Sequence, residues 1–190
     1  MRIVGPNSPG TVVDDASVGT RTWTNPTYAQ VSDGLFADPT LPHGTISHYL
    51  KATNFGLWLP PDVTVLGILV EIQHQGFGLV QDYRLRTVKG GAIGATERAL
   101  AVNWITGYEA YVGYGGDSDL WGETWTPADF ADPTFGVALS AISVAGSGNQ
   151  HAFVDHMRIT VFHTGVPTAP LRHRATVTLA DGTVTGQVTA

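Results

Sequence analysis

The sequence predicts an all-β protein built as an antiparallel β-sandwich, with an extended N-terminal segment and a C-terminal β-hairpin. Three observations predict it. In Val63–His74, Leu66, Ile68, Val70 and Ile72 fall on one face, flanked by Thr64 and His74, while Gly67, Glu71 and Gln73 lie opposite. Alternation with period two marks a half-buried strand rather than a helix. The 23 glycines and 11 prolines are spread along the chain in turns, at about 18% of residues against an average near 12%. Finally, Asp181-Gly182 separates two alternating runs, a strong hairpin signal.

Taken in order, residues 1–45 are rich in Gly, Pro, Asn, Asp and Thr, with only short β-like runs at Thr11-Val12-Val13 and Gln30-Val31. They read as an extended arm or edge strands packed on a body spanning residues 46–164. The body opens with a strand over Ile46–Ala52, turns at the Pro60-Pro61 corner and continues in the strand Val63–His74. Val80–Lys89 follows the Gly76-Phe77-Gly78 turn and is expected to close a hairpin with it. Lys89-Gly90-Gly91 and Gly94 break the ladder, and Arg98–Trp104 is a candidate further strand.

Tyr108–Tyr114 alternates aromatic and small residues and leads into a loop from Gly115 to Pro133. Within that loop Thr126 and Pro127 suit the N-cap and first position of one short helical turn. Phe135–Ile142 and Ala152–Phe162 complete the body, the latter with Phe153, Met157, Ile159 and Val161 on one face with Asp155. An unpaired carboxylate is costly to bury, so Asp155 is expected at the strand mouth or beneath backbone N–H groups. Residues 165–190 hold the hairpin, Ala175–Leu179 and Thr183–Val188. A lone hairpin is marginal in water, so it should pair with the body, another subunit or a neighbouring protein.

The 190 residues suit one domain with a real core. A net charge of −6 with 10 Lys and Arg argues against nucleic acid, whose binding is dominated by a basic surface. Arg84, Arg86 and Lys89 form a modest cluster, and Arg172 and Arg174 a smaller one. There is no cysteine, hence no disulfide framework and no thiolate metal site. MRIVGPNSPG lacks the pattern of a secretory signal, and the apolar run Val65–Val70 is far too short for a membrane span. No membrane insertion is expected.

The chemistry-bearing residues do not converge on a known motif. On an unbulged strand His156 and His163, seven apart, point to opposite faces; His151 and His163 match in parity but lie far apart, and His43 and His48 sit in a loop-to-strand region. No metal ligand set emerges. Asp117-x-Asp119-x-Trp121-Gly122 begins like a calcium loop, but Trp121 replaces the third ligand and Ala128 the last. Paired carboxylates beside aromatics also suit glycosidases, yet no catalytic signature surrounds them, and neither a G-x-S-x-G nor a phosphate loop is present. The expectation is no catalytic residue, no cofactor and no metal. One possible ligand or receptor surface remains: Tyr111, Tyr114, Asp117, Asp119, Trp121 and Trp125, although tryptophans also dominate cores and interfaces.

An ordered set of phrases covers roughly residues 20–163. It runs through Trp23–Pro26, Tyr49-Leu50-Lys51, Asn54-Phe55-Gly56, Leu59-Pro60 and Thr64–Ile68. It continues with Asp119-Leu120-Trp121-Gly122, Trp125-Thr126-Pro127, Phe135-Gly136-Val137 and Val154–Val161. Together they resemble a family of tailed-bacteriophage virion structural proteins of actinophage type. The resemblance implies a jelly-roll-like sandwich without catalytic residues, made in the host cytoplasm and built into the virion. The role it implies is a minor tail, baseplate or fibre-associated component; a capsid decoration protein or a module binding host-surface carbohydrate or receptor are the alternatives. Implied partners are the chain itself, as a homotrimer or ring, and other virion proteins, with strand addition at sheet edges as an assembly device.

Overall fold

The computed structural model describes residues 1–146 and 148–165, and the backbone of 173–179 and 182–188. The strands are β1 (Arg2–Asn7), β2 (Thr11–Asp15), β3 (Thr40–Pro42), β4 (Tyr49–Thr53), β5 (Val65–Phe77), β6 (Leu79–Lys89), β7 (Ala92–Ile93), β8 (Ala110–Gly115), β9 (Gly136–Ala145), β10 (Asn149–His163), β11 (His173–Leu179) and β12 (Gly182–Val188). A 3-10 turn, Pro26–Ala29, and a five-residue helix, α1 (Pro127–Ala131), complete the set.

Two antiparallel sheets face each other as a sandwich. One has the order β1-β10-β5-β8, with β3 also on β10; the other runs β2-β4-β9-β6-β7. β11 and β12 form their own two-stranded ladder, His173 opposite Val188 through Leu179 opposite Gly182. The expected Asp181 turn and the Arg172 of the smaller basic group lie outside the described residues.

The alternation of β5 reappears in three dimensions. Ile68, Val70 and Ile72 are fully buried, facing inward with Met157, Ile159 and Val161 of β10 into a core shared with Leu50, Leu85, Val137 and Leu139. Each side chain of this size contributes about 1.5–3 kcal/mol on burial. The residues before β4 belong to the same core: Trp23, Ala29, Ala37 and Leu41 are buried in it. The Trp23 indole N–H donates to the His48 carbonyl at 2.8 Å and its backbone N–H to Asp14 at 2.8 Å.

β5 and β6 do not form the expected hairpin. Both are interior strands, β5 between β10 and β8, β6 between β9 and β7, so neither has a free edge for the other. Phe77-Gly78-Leu79 carries the chain from one sheet to the opposite one instead. Gly78 takes φ +89°, and a Cβ there would overlap the Gln150 side chain, whose Oε1 accepts the Leu79 N–H at 2.9 Å. The Pro60-Pro61 corner makes the same crossing between β4 and β5.

A second difference lies in β10. Val154 faces His74 and His156 faces Gln73, so Asp155 is an extra residue in the ladder, a β-bulge. The bulge reverses parity, which is why Ala152 and Val154 precede it in the core and Met157, Ile159 and Val161 follow. Phe153, expected inside, lies on the outer face against Phe36, ring centroids 5.4 Å apart. Asp155 is 0% exposed and accepts backbone N–H bonds from Asp33 (3.2 Å) and Gly34 (3.0 Å).

Residues 94–109 form no strand over Arg98–Trp104 but a strap along β6. Arg98 N–H donates to Leu85 O (2.9 Å), Leu100 N–H to the Asp82 carboxylate (2.9 Å), and Trp104 N–H to Val80 O (2.8 Å). The Gly76 N–H then donates to Ile105 O at 2.8 Å, which ties the strap to β5 and the opposite sheet.

Candidate functional site

The aromatic and acidic loop after β8 is folded inward. Gly115 (φ +77°) ends β8, and the following turn docks on the middle of β5: Gly116 N–H donates to Ile68 O at 3.0 Å, and Ile68 N–H to Asp119 O at 2.9 Å. That approach requires Gly67, where a Cβ would collide with the backbone of Gly116–Ser118. Arg98 grips Asp119 through two bonds, Nε at 2.7 Å and Nη2 at 2.8 Å. Its guanidinium holds the Asp119 carboxyl below the usual range. Asp119 also accepts the Trp121 N–H at 2.8 Å.

Trp121 is 0% exposed, in left-handed backbone (φ 54°), with its indole N–H donating to Ile68 O at 3.0 Å. Trp125 is buried against Phe130 and Phe135, centroids 5.3 and 5.4 Å away, and its indole N–H donates to Leu120 O at 2.9 Å. The helical turn after it is held at its start by Asp129, whose Oδ2 accepts both the Thr126 N–H (2.7 Å) and hydroxyl (2.8 Å).

Of the six residues singled out as a ligand surface, Asp119 and Trp121 are joined to each other, and both tryptophan faces are covered. Asp117 is exposed beside them. Tyr114 is buried, with its hydroxyl 3.4 Å from His74 Nε2; burial pushes its phenol far up. Tyr111 lies on the outer face, under the Arg158 guanidinium (3.9 Å to the ring centroid), with its hydroxyl 2.7 Å from His156 Nδ1. The six therefore form no common platform, because all but Asp117 are used in internal packing or pairing.

The histidines are likewise dispersed. His74 stacks on Trp104 at 4.1 Å, and burial lowers its pKa to about 4. His48 pairs with Asp14 and His151 with Asp38, each at 2.8 Å. His156 bridges Ser8 Oγ (2.8 Å) and Tyr111. Among the described residues no three His, Cys, Asp or Glu side chains converge as a metal site. The basic cluster is paired as well: Arg84 and Arg86 contact Glu97 at 3.3 and 3.1 Å, and Lys89 contacts Asp129 at 3.4 Å.

Two surface features escape the sequence reading. The first is an apolar cleft of about 220 Å³ between the strap and the sandwich, with Leu100, Val102, Trp104 and Val112 among its walls and Asp82 and His74 at its polar base. Asp82 accepts the Trp104 indole N–H at 2.8 Å as well as Leu100 N–H, while burial pushes its carboxyl up. Exposed apolar side chains also lie on the adjoining segments: Phe77 and Leu79 flank the sheet crossing, and Leu100, Val102 and Tyr108 belong to the strap. The second is a groove of about 500 Å³ at the opposite crossing, walled by Trp58, Pro61 and Pro127. Trp58 is 68% exposed between buried Leu57 and Leu59; alternation along Leu57-Trp58-Leu59 was the legible signal for it.

No family model matches the chain, and no curated protein matches it. Among solved structures it is similar to TmCBM61, determined in complex with beta-1,4-galactotriose, at 15% identity and a TM-score of 0.39, covering 78% of this chain and 86% of that one. The similarity is too distant to carry function.

Proposed function

We propose that this chain is a non-enzymatic virion subunit of a tailed phage, a minor tail, baseplate or fibre-associated component that assembles through subunit contacts. The observation that supports assembly is the apolar end. Leu100 and Val102, 43% and 66% exposed, line an apolar cleft, and Phe77, Leu79 and Tyr108, 60%, 42% and 64% exposed, lie on the adjoining crossing and strap. A large exposed apolar patch marks an interaction surface on a soluble protein. The β11–β12 ladder points the same way, since a two-stranded sheet gains stability from a neighbour. The virion assignment rests on the ordered phrases between residues 20 and 163; the paired state of Asp119, Arg98, Glu97 and the buried tryptophans is in keeping with a role without catalysis.

The test is virion incorporation and oligomeric state of the full chain, of a chain lacking residues 166–190, and of Leu100→Asp/Val102→Asp. A defined oligomer weakened by either change is expected. A monomer that enters virions equally well in all three forms would refute the proposal. Gene neighbourhood, beside a tape-measure or a major capsid gene, separates the tail reading from capsid decoration.

A glycan- or receptor-binding role has one specific feature in its favour, the exposed Trp58 beside Pro61 and Pro127. A rigid indole face in a groove is a suitable contact surface. Binding on a glycan array that disappears in Trp58→Ala, with the fold intact, is the expected result for this role; no binding to glycans or host cell-wall fractions removes it.

A further inference from the structure

The cleft beneath the strap has an interior as well as a rim, and backbone bonds fix its walls. Arg98, Leu100 and Trp104 donate N–H bonds to β6 at Leu85 O, the Asp82 carboxylate and Val80 O, while Ile105 O accepts the Gly76 N–H from β5. A cavity held from both sheets is preformed, as small-molecule sites usually are. Its volume of about 220 Å³ exceeds the roughly 150 Å³ of an apolar cavity that takes up benzene. One substituted aromatic ring therefore fits. Leu100, Val102, Trp104, Ile105 and Val112 supply apolar walls.

The polar side chains at the base are engaged except at one atom. Asp82 accepts the Leu100 N–H at 2.9 Å and the Trp104 indole N–H at 2.8 Å. The Tyr114 hydroxyl lies 3.4 Å from His74 Nε2. His74 is 3% exposed, with its ring stacked on Trp104 at 4.1 Å. Its Nδ1 is closed to water and has no partner. A buried polar group left unpaired is costly. Burial lowers the His74 pKa to about 4, so at neutral pH the imidazole is uncharged, with one donor and one acceptor nitrogen. A hydroxyl can donate to Nδ1 or accept from it, and so serves either tautomer. A carboxyl at the same base and an apolar lining argue against an anion, which would have to shed its water there.

We propose that the cleft binds a small neutral molecule of the phenol class, with its ring against the apolar walls and its hydroxyl bonded to His74 Nδ1. This site goes beyond the subunit reading, which concerns the exposed side chains at the rim and on the adjoining segments. The two fail separately: oligomeric state is read by sedimentation, and occupancy of the cleft by titration.

The probes are p-cresol and p-xylene, which match in shape and differ by a hydroxyl in place of a methyl. Each is titrated into the full chain at neutral pH, with NMR following the Trp104 indole N–H and the His74 ring nitrogens. p-Cresol is expected to give a saturable shift in which Trp104 and His74 Nδ1 move together. In His74→Phe the affinity for p-cresol relative to p-xylene should fall about tenfold, because the hydroxyl loses its partner. Filling the cleft in Val112→Phe should remove binding of both. No saturable shift, a p-cresol to p-xylene ratio that His74→Phe leaves unchanged, or binding that survives Val112→Phe overturns the proposal. A His74 shift that follows chain concentration alone, without response to p-cresol, also overturns it and assigns the cleft to a side chain of a second copy. If a variant does not fold, the wild-type titration decides: p-cresol that leaves His74 Nδ1 unmoved refutes the site.

Discussion

The loop from Gly115 to Trp125 and the strap from Gly94 to Glu109 present opposite relations between residue type and use. The loop holds two tryptophans and three acidic residues, the side chains from which binding sites are commonly made. Yet Trp121 and Trp125 are core, and Asp119 is committed to Arg98. The strap carries ordinary aliphatics, and it is Leu100 and Val102 that stand in solvent. Chemistry that looks available in one dimension can be fully used by the fold, while residues that usually signal core can stand in solvent.

The largest expected effect on this contrast is Trp121→Ala. Removing a fully buried indole should cost about 3–5 kcal/mol, seen as a large fall in the denaturant midpoint. Near-native stability would mean that the loop is a surface feature after all. Next comes the pH response of His74 behind the cleft. Its folded pKa is about 4 against 6.5 for the free side chain, so the stability that depends on a neutral imidazole is present above pH 6.5 and lost as pH falls to about 4. The shift corresponds to about 3 kcal/mol, and His74→Phe should flatten this part of the profile measured by urea unfolding. Asp119→Ala removes the Arg98 fork and the Trp121 N–H acceptor together, and should cost about 2 kcal/mol in the same assay. Last in stability is Val102→Asp, within about 0.5 kcal/mol because the side chain is already in water; its effect should appear in self-association instead.

How much of this was legible varied with the physics involved. The wall strand β5 declared itself because one face of Ile68, Val70 and Ile72 is buried and the other polar, and the Thr126-Pro127 helical start followed from local capping chemistry. The pairing of strands was a different matter. Alternation in β5 and β6 is the same whether they lie side by side or face each other across the core, so the sheet crossing at Gly78 left no periodic trace. The bulge at Asp155 reversed the faces of Phe153 and Val154, because one unpaired residue shifts parity for everything on one side of it. Burial of Trp121 depended on Arg98 and Gly67, distant in sequence, and the apolar end arises only when the strap is laid along β6. The arm-like composition of residues 1–45 concealed Trp23, Ala37 and Leu41, which are core residues held by contacts distant in sequence rather than by a repeating pattern.

The central claim is that the end bearing Phe77, Leu79, Leu100, Val102 and Tyr108 is a subunit contact. Sedimentation velocity over a range of concentrations, on the full chain and on Leu100→Asp/Val102→Asp, tests it most directly. The account predicts a discrete oligomer for the full chain and a shift to monomer in the variant, with the thermal midpoint nearly unchanged. A full chain that sediments as a monomer at every concentration, indistinguishable from the variant, would contradict it.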